Sequence, residues 1–271
     1  MWYHSFEGWY FKHQKDGQTV ALIPGRGRSG AFVQVITNER SWHFSVPVLR
    51  KADRLYAGDC VFSERGIIVS LPGIVGEISY GPLTRLRTNI MGPFQLLPME
   101  CRHGVISMFH SLRGTLCIQE KKLNLDGGLG YIEKDSGFSF PTQYLWLQCN
   151  AFQEQCSIMV SVARIPFGVL HFTGCICAII YEGREYRLAT YGGVRILQAS
   201  QEQICLSQGR YLLEIDILEK GKGHLLKSPE GGFMTGMVRE SNCTAARFRF
   251  WEAGQMVFDL TSSSVGFEYV S

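Results

Sequence analysis

The chain has 271 residues, 45% hydrophobic and 19% charged, and its 27 basic and 24 acidic side chains leave a formal net charge of +3. That balance is too apolar for a disordered chain and gives no electrostatic reason to expect nucleic acid. No apolar run approaches the length of a membrane-spanning helix. The opening MWYHSFEGWYFKH also lacks the basic and apolar regions of a signal peptide, so the sequence predicts a cytoplasmic protein without a transmembrane segment.

Taken in chain order, short segments rich in β-branched and aromatic residues recur at Thr19–Pro24, Ala31–Thr37, Trp42–Pro47, Ile67–Leu71, Ser157–Ala163, Cys175–Tyr181 and Tyr211–Leu218. Each is bounded by turn-forming residues, and no long stretch carries a helical apolar stripe, so the expected class is all-β. Lys15-Asp16-Gly17-Gln18 and Tyr181-Glu182-Gly183-Arg184 read as tight hairpin turns. Met91–Ser107, with its two prolines, reads as an extended crossover. Nine cysteines are scattered through the chain, an odd number without CxxC spacing. They predict reduced thiols packed as small hydrophobes, with no disulfide framework and no metal site.

The chain also repeats itself. Ser29-Gly30-Ala31-Phe32-Val33 runs in step with Thr173-Gly174-Cys175-Ile176-Cys177, Arg40-Ser41-Trp42 with Arg184-Glu185-Tyr186, and Phe62-Ser63 with Leu206-Ser207, all at one constant separation. A duplicated unit of many short antiparallel strands suits a barrel, which removes exposed sheet edges by curling on itself. The expected domains are residues 1–133 and 134–271, with Asp135-Ser136-Gly137-Phe138-Ser139 as the connection.

Several segments together resemble the tocopherol cyclase family: Phe6-Glu7-Gly8-Trp9-Tyr10-Phe11-Lys12, Tyr131-Ile132-Glu133-Lys134, Phe140-Pro141, Trp146-Leu147-Gln148-Cys149-Asn150-Ala151-Phe152, Arg239 with Ser241, and Phe250-Trp251-Glu252. After Glu-Lys the chain departs from the plant pattern, with Asp135-Ser136-Gly137 in place of Asn-Trp-Gly. More distantly, Tyr131-x-Glu133 is similar to the Tyr-x-Asp of carotenoid 1,2-hydratases. The resemblance implies two tandem lipocalin-like β-barrel domains, a long apolar prenylated substrate and acid-initiated ring closure on one of its double bonds. No cofactor is implied, and peripheral contact with a membrane surface is compatible with such a substrate.

Closing a chroman ring from a prenylated quinol needs a proton delivered to an alkene in a dry pocket. A free carboxyl ionises near pH ~4.3, but burial raises that value by as much as ~3–5 units and keeps the acid protonated. Glu133 is the leading proton donor, with Tyr131 on the same strand face as its hydrogen-bond partner or relay. Glu7 is the second carboxyl, expected to meet Glu133 in one pocket. Trp9, Tyr10, Trp146 and Trp251 are expected to wall the ligand and stabilise cationic character through their ring faces. Gln148 and Asn150 share a strand face with Trp146 and would orient a quinol hydroxyl. His103 reads as a satisfied or solvated histidine, with a place next to a site as the alternative. The competing reading is a non-catalytic, lipocalin-like binder of an isoprenoid or other apolar ligand.

Overall fold

The computed structural model describes residues 5–167 and 170–271. The described residues contain two antiparallel sheets and, beyond them, only short 3-10 turns at Gly92–Leu96 and Thr190–Gly192. The first sheet is built from β1 (Phe6–Lys15), β2 (Gln18–Gly27), β3 (Gly30–Thr37), β4 (Ser41–Val46), β5 (Leu49–Lys51), β6 (Leu55–Ala57), β7 (Cys60–Ser63), β8 (Gly66–Leu71), β9 (Ile74–Tyr80), β10 (Cys101–Ile118), β11 (Lys121–Asn124) and β12 (Leu129–Gly137). The second is built from β13 (Tyr144–Cys149), β14 (Cys156–Phe167), β15 (Leu170–Tyr181), β16 (Arg184–Ala189), β17 (Arg195–Ala199), β18 (Gln203–Gln208), β19 (Tyr211–Glu219), β20 (His224–Glu230), β21 (Phe233–Glu252) and β22 (Gln255–Val270).

All seven strand segments read from the sequence are strands, and both hairpin turns form. Asp16 and Gly17 have φ of 49° and 74°, and Glu182 and Gly183 have 47° and 76°. Two consecutive positive φ values give the turn whose twist matches the flanking strands, which is why glycine stands second in each. Met91–Ser107 differs from its expected extended form: a 3-10 turn occupies Gly92–Leu96 and β10 begins at Cys101.

The sheets share one topology. The first runs β4-β3-β2-β1-β12-β10-β9-β8-β7 before continuing to β6 and β5, and the second runs β16-β15-β14-β13-β22-β21-β19-β18-β17. In both, the first four strands appear in reverse, then the last strand, then the rest in descending order, as a duplicated unit requires. Each path is open but curls around one apolar cluster. In the first sheet Val33 and Val35 of β3 share that cluster with Leu49, Leu55 and Ala57 of β5 and β6, at the far end of the path. In the second, Tyr186 and Leu188 of β16 share theirs with Ile204 and Leu206 of β18. Strand alternation does the sorting: Trp9, Phe11 and Ile132 join the first core, and Leu145, Leu147 and Cys149 the second.

The chain forms two compact units. One comprises the described residues to Arg85, His103–Ser139 and Leu226–Met237, and the other Leu86–Arg102, Phe140–Leu225 and Val238–Ser271. A cut at 133/134 therefore passes through β12. Asp135-Ser136-Gly137 is not the connection the sequence suggested but the end of that strand, because Gly8, Glu7 and Phe6 of β1 pair with it residue for residue. Leu226–Met237 joins the first unit through backbone and amide bonds. Gln34 donates to the Lys227 carbonyl at 2.9 Å and accepts from its amide at 2.7 Å.

Candidate active site

β1 and β12 pair antiparallel, with Tyr10 opposite Glu133, Lys12 opposite Tyr131 and Gly8 opposite Asp135. Partners in such a ladder share a sheet face, so Tyr10, Lys12, Tyr131, Glu133 and Asp135 all lie opposite the face that carries Trp9, Phe11 and Ile132 into the core. The sequence placed the acid inside a hollow barrel. The structure buries Glu133, at 5% exposure, but on the sheet face turned away from the apolar core. The two faces are separated by one residue of alternation, and the inner one is filled by Trp9, Phe11 and Ile132.

Around that carboxyl the geometry is specific. Tyr131, fully buried, donates its hydroxyl to Glu133 Oε2 at 2.6 Å. His103, from β10, brings Nε2 to 3.4 Å from the same Oε2 and Nδ1 to 2.9 Å from Asp135 Oδ1. Burial pulls the His103 pKa down, but the charges of Asp135 and Glu133 and the hydrogen bond to Asp135 outweigh it and lift the pKa to about 9. At neutral pH His103 is an imidazolium clamped between two carboxyl groups. Burial, followed by the neighbouring Glu133, pushes Tyr131 well above the ordinary phenol range, so it stays a donor.

His103, Glu133 and Asp135 also offer one ligand atom each within 4.8 Å of one another, a donor set that suits a divalent cation. A metal takes only neutral imidazole, however, and here both ring nitrogens face carboxyl groups that hold the proton on. The cluster as built fits a proton better than a metal.

Glu7 does not join it. It sits on the opposite face of β1 and binds Arg26 at 2.6 Å and Lys134 at 3.0 Å. Burial raises its pKa, but these two cations more than offset that and hold it below the usual carboxylate value, so Glu7 is an ion-paired carboxylate. The expected meeting of Glu7 and Glu133 fails because seven and 133 fall on different faces of one ladder. Trp9 shares the Glu7 face, where Lys134 Nζ lies 4.4 Å from its ring centroid. Of the aromatics read as ligand walls, Tyr10 alone stands directly beside Glu133.

In the second unit, Trp146 and Gln148 of β13 do share a face, and both are buried, as is Asn150 just past the end of that strand. That shared face too is the one opposite the core cluster, which takes Leu145, Leu147 and Cys149. The Trp146 ring packs over Gly266, where an added Cβ would lie 3.1 Å from it. Trp251 lies elsewhere: Phe248 and Phe250 of β21 enter the core, so Trp251 points outward, half-buried, with the Arg249 guanidinium 5.7 Å from its ring centroid. It lines no interior.

Asp135 is the residue that sequence reading passed over, and His103 the one it weighed beside a site but read as satisfied or solvated. A signal for Asp135 was present in the period-two run Tyr131-x-Glu133-x-Asp135. None existed for His103, which reaches the site only because β10 pairs with β12.

The fold and this cluster define a class: two lipocalin-like all-β units, one carrying a buried tyrosine–carboxyl–histidine set. The chain belongs to the tocopherol cyclase-like family, whose model matches residues 74–270. The Phe6–Lys12 motif lies outside the matched span. The chain is 23% identical over 206 residues to the probable chloroplastic tocopherol cyclase of Oryza sativa subsp. japonica, covering 70% of this chain and 44% of that protein. The chloroplastic tocopherol cyclase of Zea mays is 21% identical over 206 residues, with 70% and 43% covered. The chain thus spans under half the length of these curated relatives. Among solved structures, kievitone hydratase from Nectria haematococca superposes with a TM-score of 0.59 at 10% identity, covering 99% of this chain and 90% of that one. CghA with Sch210972 gives 0.63 at 9%, covering 98% and 88%. These likenesses establish the fold. No helix among the described residues is long and apolar enough to cross a membrane.

Proposed function

We propose that the protein is an acid-catalysed cyclase of prenylated quinols, with Glu133 as proton donor. What supports this most is the buried Tyr131–Glu133 hydrogen bond of 2.6 Å in a chain of the tocopherol cyclase-like family. Tyr131 and His103 both address Glu133 Oε2, and the charged His103 supplies through that oxygen the proton that Glu133 delivers. Protonation of a trisubstituted alkene gives a tertiary cation. The quinol oxygen captures it, and the phenolic proton returns to the Glu133 carboxylate, so atoms balance as an isomerisation without a cofactor. From Glu133 that proton passes back to His103, which Asp135 holds in the charged form and which positions Glu133 for the next turnover. Tyr10, opposite Glu133, offers an aromatic face to the cation. The rice and maize relatives, named tocopherol cyclases, support the prenylquinol substrate and an intramolecular-lyase type of reaction.

Purified protein incubated with 2-methyl-6-phytyl-benzoquinol should yield a chroman of unchanged mass. Glu133→Gln should lower the rate by about two orders of magnitude or more, the usual scale for a general acid, in a variant that circular dichroism shows to be still folded. Retention of activity by that variant would overturn the assignment.

A second reading rests on a different observation. A cavity of about 360 Å³ lies where the two ends of the first sheet approach, lined by His43, Phe44, Val46, Ala57, Asp59 and Leu71 among others, away from Glu133. Its size suits a small apolar ligand held without chemistry. Native mass spectrometry separates the two readings: an unaltered lipid recovered after long incubation favours binding, and a cyclised one favours catalysis.

A further inference from the structure

The connection leading into β10 presents an apolar tip that packing leaves uncovered. Pro93, Phe94, Leu96, Leu97, Pro98 and Met99 surround a single polar residue, Gln95, and Leu96 is 83% exposed, the most exposed large hydrophobic side chain among the described residues. Such exposure is ordinary for one leucine on a flexible loop. This tip is instead held on a built pedestal. Tyr191 donates its hydroxyl to the Ile90 carbonyl at 2.9 Å, and Arg187 donates to the carbonyls of Asn89 and Thr88 and to Tyr191 Oη. Asn89 Oδ1 accepts from the Met91 amide at 2.8 Å. Glu185 in turn holds Arg187 at 2.7 Å and accepts from the Arg87 amide at 2.8 Å. Within the turn, the Phe94 amide donates to Met91 and that of Leu97 to Phe94. The Phe94 ring packs edge-on against Tyr191, centroids 5.9 Å apart, and lies 6.0 Å from Phe172 of β15. The sequence shortly before Phe172, Ile165-Pro166-Phe167-Gly168-Val169-Leu170, has no charge either.

We infer that this tip is a membrane-surface anchor, inserting Leu96 and its neighbours into the acyl boundary of a lipid leaflet. A side chain so exposed lines no groove, so the feature is shaped to enter a partner rather than receive one. Phenylalanine and leucine between two prolines, with a methionine just beyond, is a composition that partitions into the headgroup–acyl boundary. No acidic residue occurs from Leu86 to Met99, Arg87 lies at one stem and Arg102 at the other, and Glu100 is the single acid between them. Arginines at the stems lie where anionic headgroups would meet them. The inference is independent of the chemistry assigned to Glu133.

Sedimentation with sucrose-loaded vesicles tests it, using phosphatidylcholine alone and phosphatidylcholine with about a third phosphatidylglycerol. The full chain should sediment with vesicles, more strongly with the anionic ones. Leu96→Asp should lower the partition coefficient by roughly tenfold or more, since burying one leucine side chain is worth at least that factor. Leu218→Asp, at a leucine 60% exposed on β19, should leave partitioning unchanged. Leu96→Trp should shift its fluorescence to the blue on vesicle addition. The inference is overturned if the wild type ignores both vesicles or if Leu96→Asp binds as the Leu218 variant does. A concentration-dependent dimer abolished by Leu96→Asp, without vesicle binding, would assign the tip to a protein contact and overturn it equally.

Discussion

At the scale of single residues, His103 sets the electrostatics of the site. Its ring nitrogens sit 2.9 Å from Asp135 and 3.4 Å from Glu133, and a pKa of about 9 keeps it charged across the physiological range. Because Asp135 supplies the largest of the upward shifts, Asp135→Asn should bring the His103 pKa down toward the histidine range, read directly by NMR titration of the imidazole protons. If His103 positions Glu133, the same variant should also move the pH profile of kcat while leaving KM nearly unchanged. A purely structural histidine would change stability without moving that profile. Glu7 shows how little residue type decides. It is also a carboxylate among aromatics, yet Arg26 and Lys134 fix it in the ionised form, where it cannot donate a proton.

At the scale of elements, the curl of the first sheet depends on close backbone approach. Gly76 of β9 has φ +147°, and a Cβ there would lie 2.2 Å from the Thr115 carbonyl oxygen of β10. Gly76→Ala therefore faces both a disfavoured backbone conformation and a rigid neighbour. A loss of about 3 kcal/mol is expected by chemical denaturation. Alanine at Gly17, where nothing lies within 4 Å, meets only the φ penalty and should cost about 1 kcal/mol. Equal losses at the two positions would show that the curl does not constrain β9.

For the whole molecule, buried histidines give stability a defined pH window. His13 bonds Tyr80 at 2.6 Å, and His110 packs against the same ring, 4.4 Å between centroids. Burial pushes their pKa values down to about 3 and about 4, so both are neutral in the fold. The unfolded chain binds more protons than the fold below the free-histidine value. Their contribution is therefore fully present above about pH 6.5 and is lost as pH falls toward 4. His103 has the opposite sign: its contribution is complete below about pH 6.5 and is lost as pH rises through about 9. Thermal midpoints measured across pH should peak near 6.5. His13→Gln, which removes one depressed group, should flatten the acid limb and leave the alkaline limb unchanged.

The sequence by itself determined the strands, their two tight turns, the duplication and the pairing of Tyr131 with Glu133. All of these follow from alternation, local turn chemistry or short separation along the chain, which a linear sequence displays. Tertiary structure alone decided which face of each strand became the core. It put Glu133 on the buried face opposite the apolar cluster, left Trp251 outward and drew Glu7 into an ion pair. It also brought His103 to Glu133 across the β10–β12 ladder. Alternation states that two residues share a face but not which face is filled, because that depends on what the curled sheet encloses, and a partner thirty residues away carries no local signal.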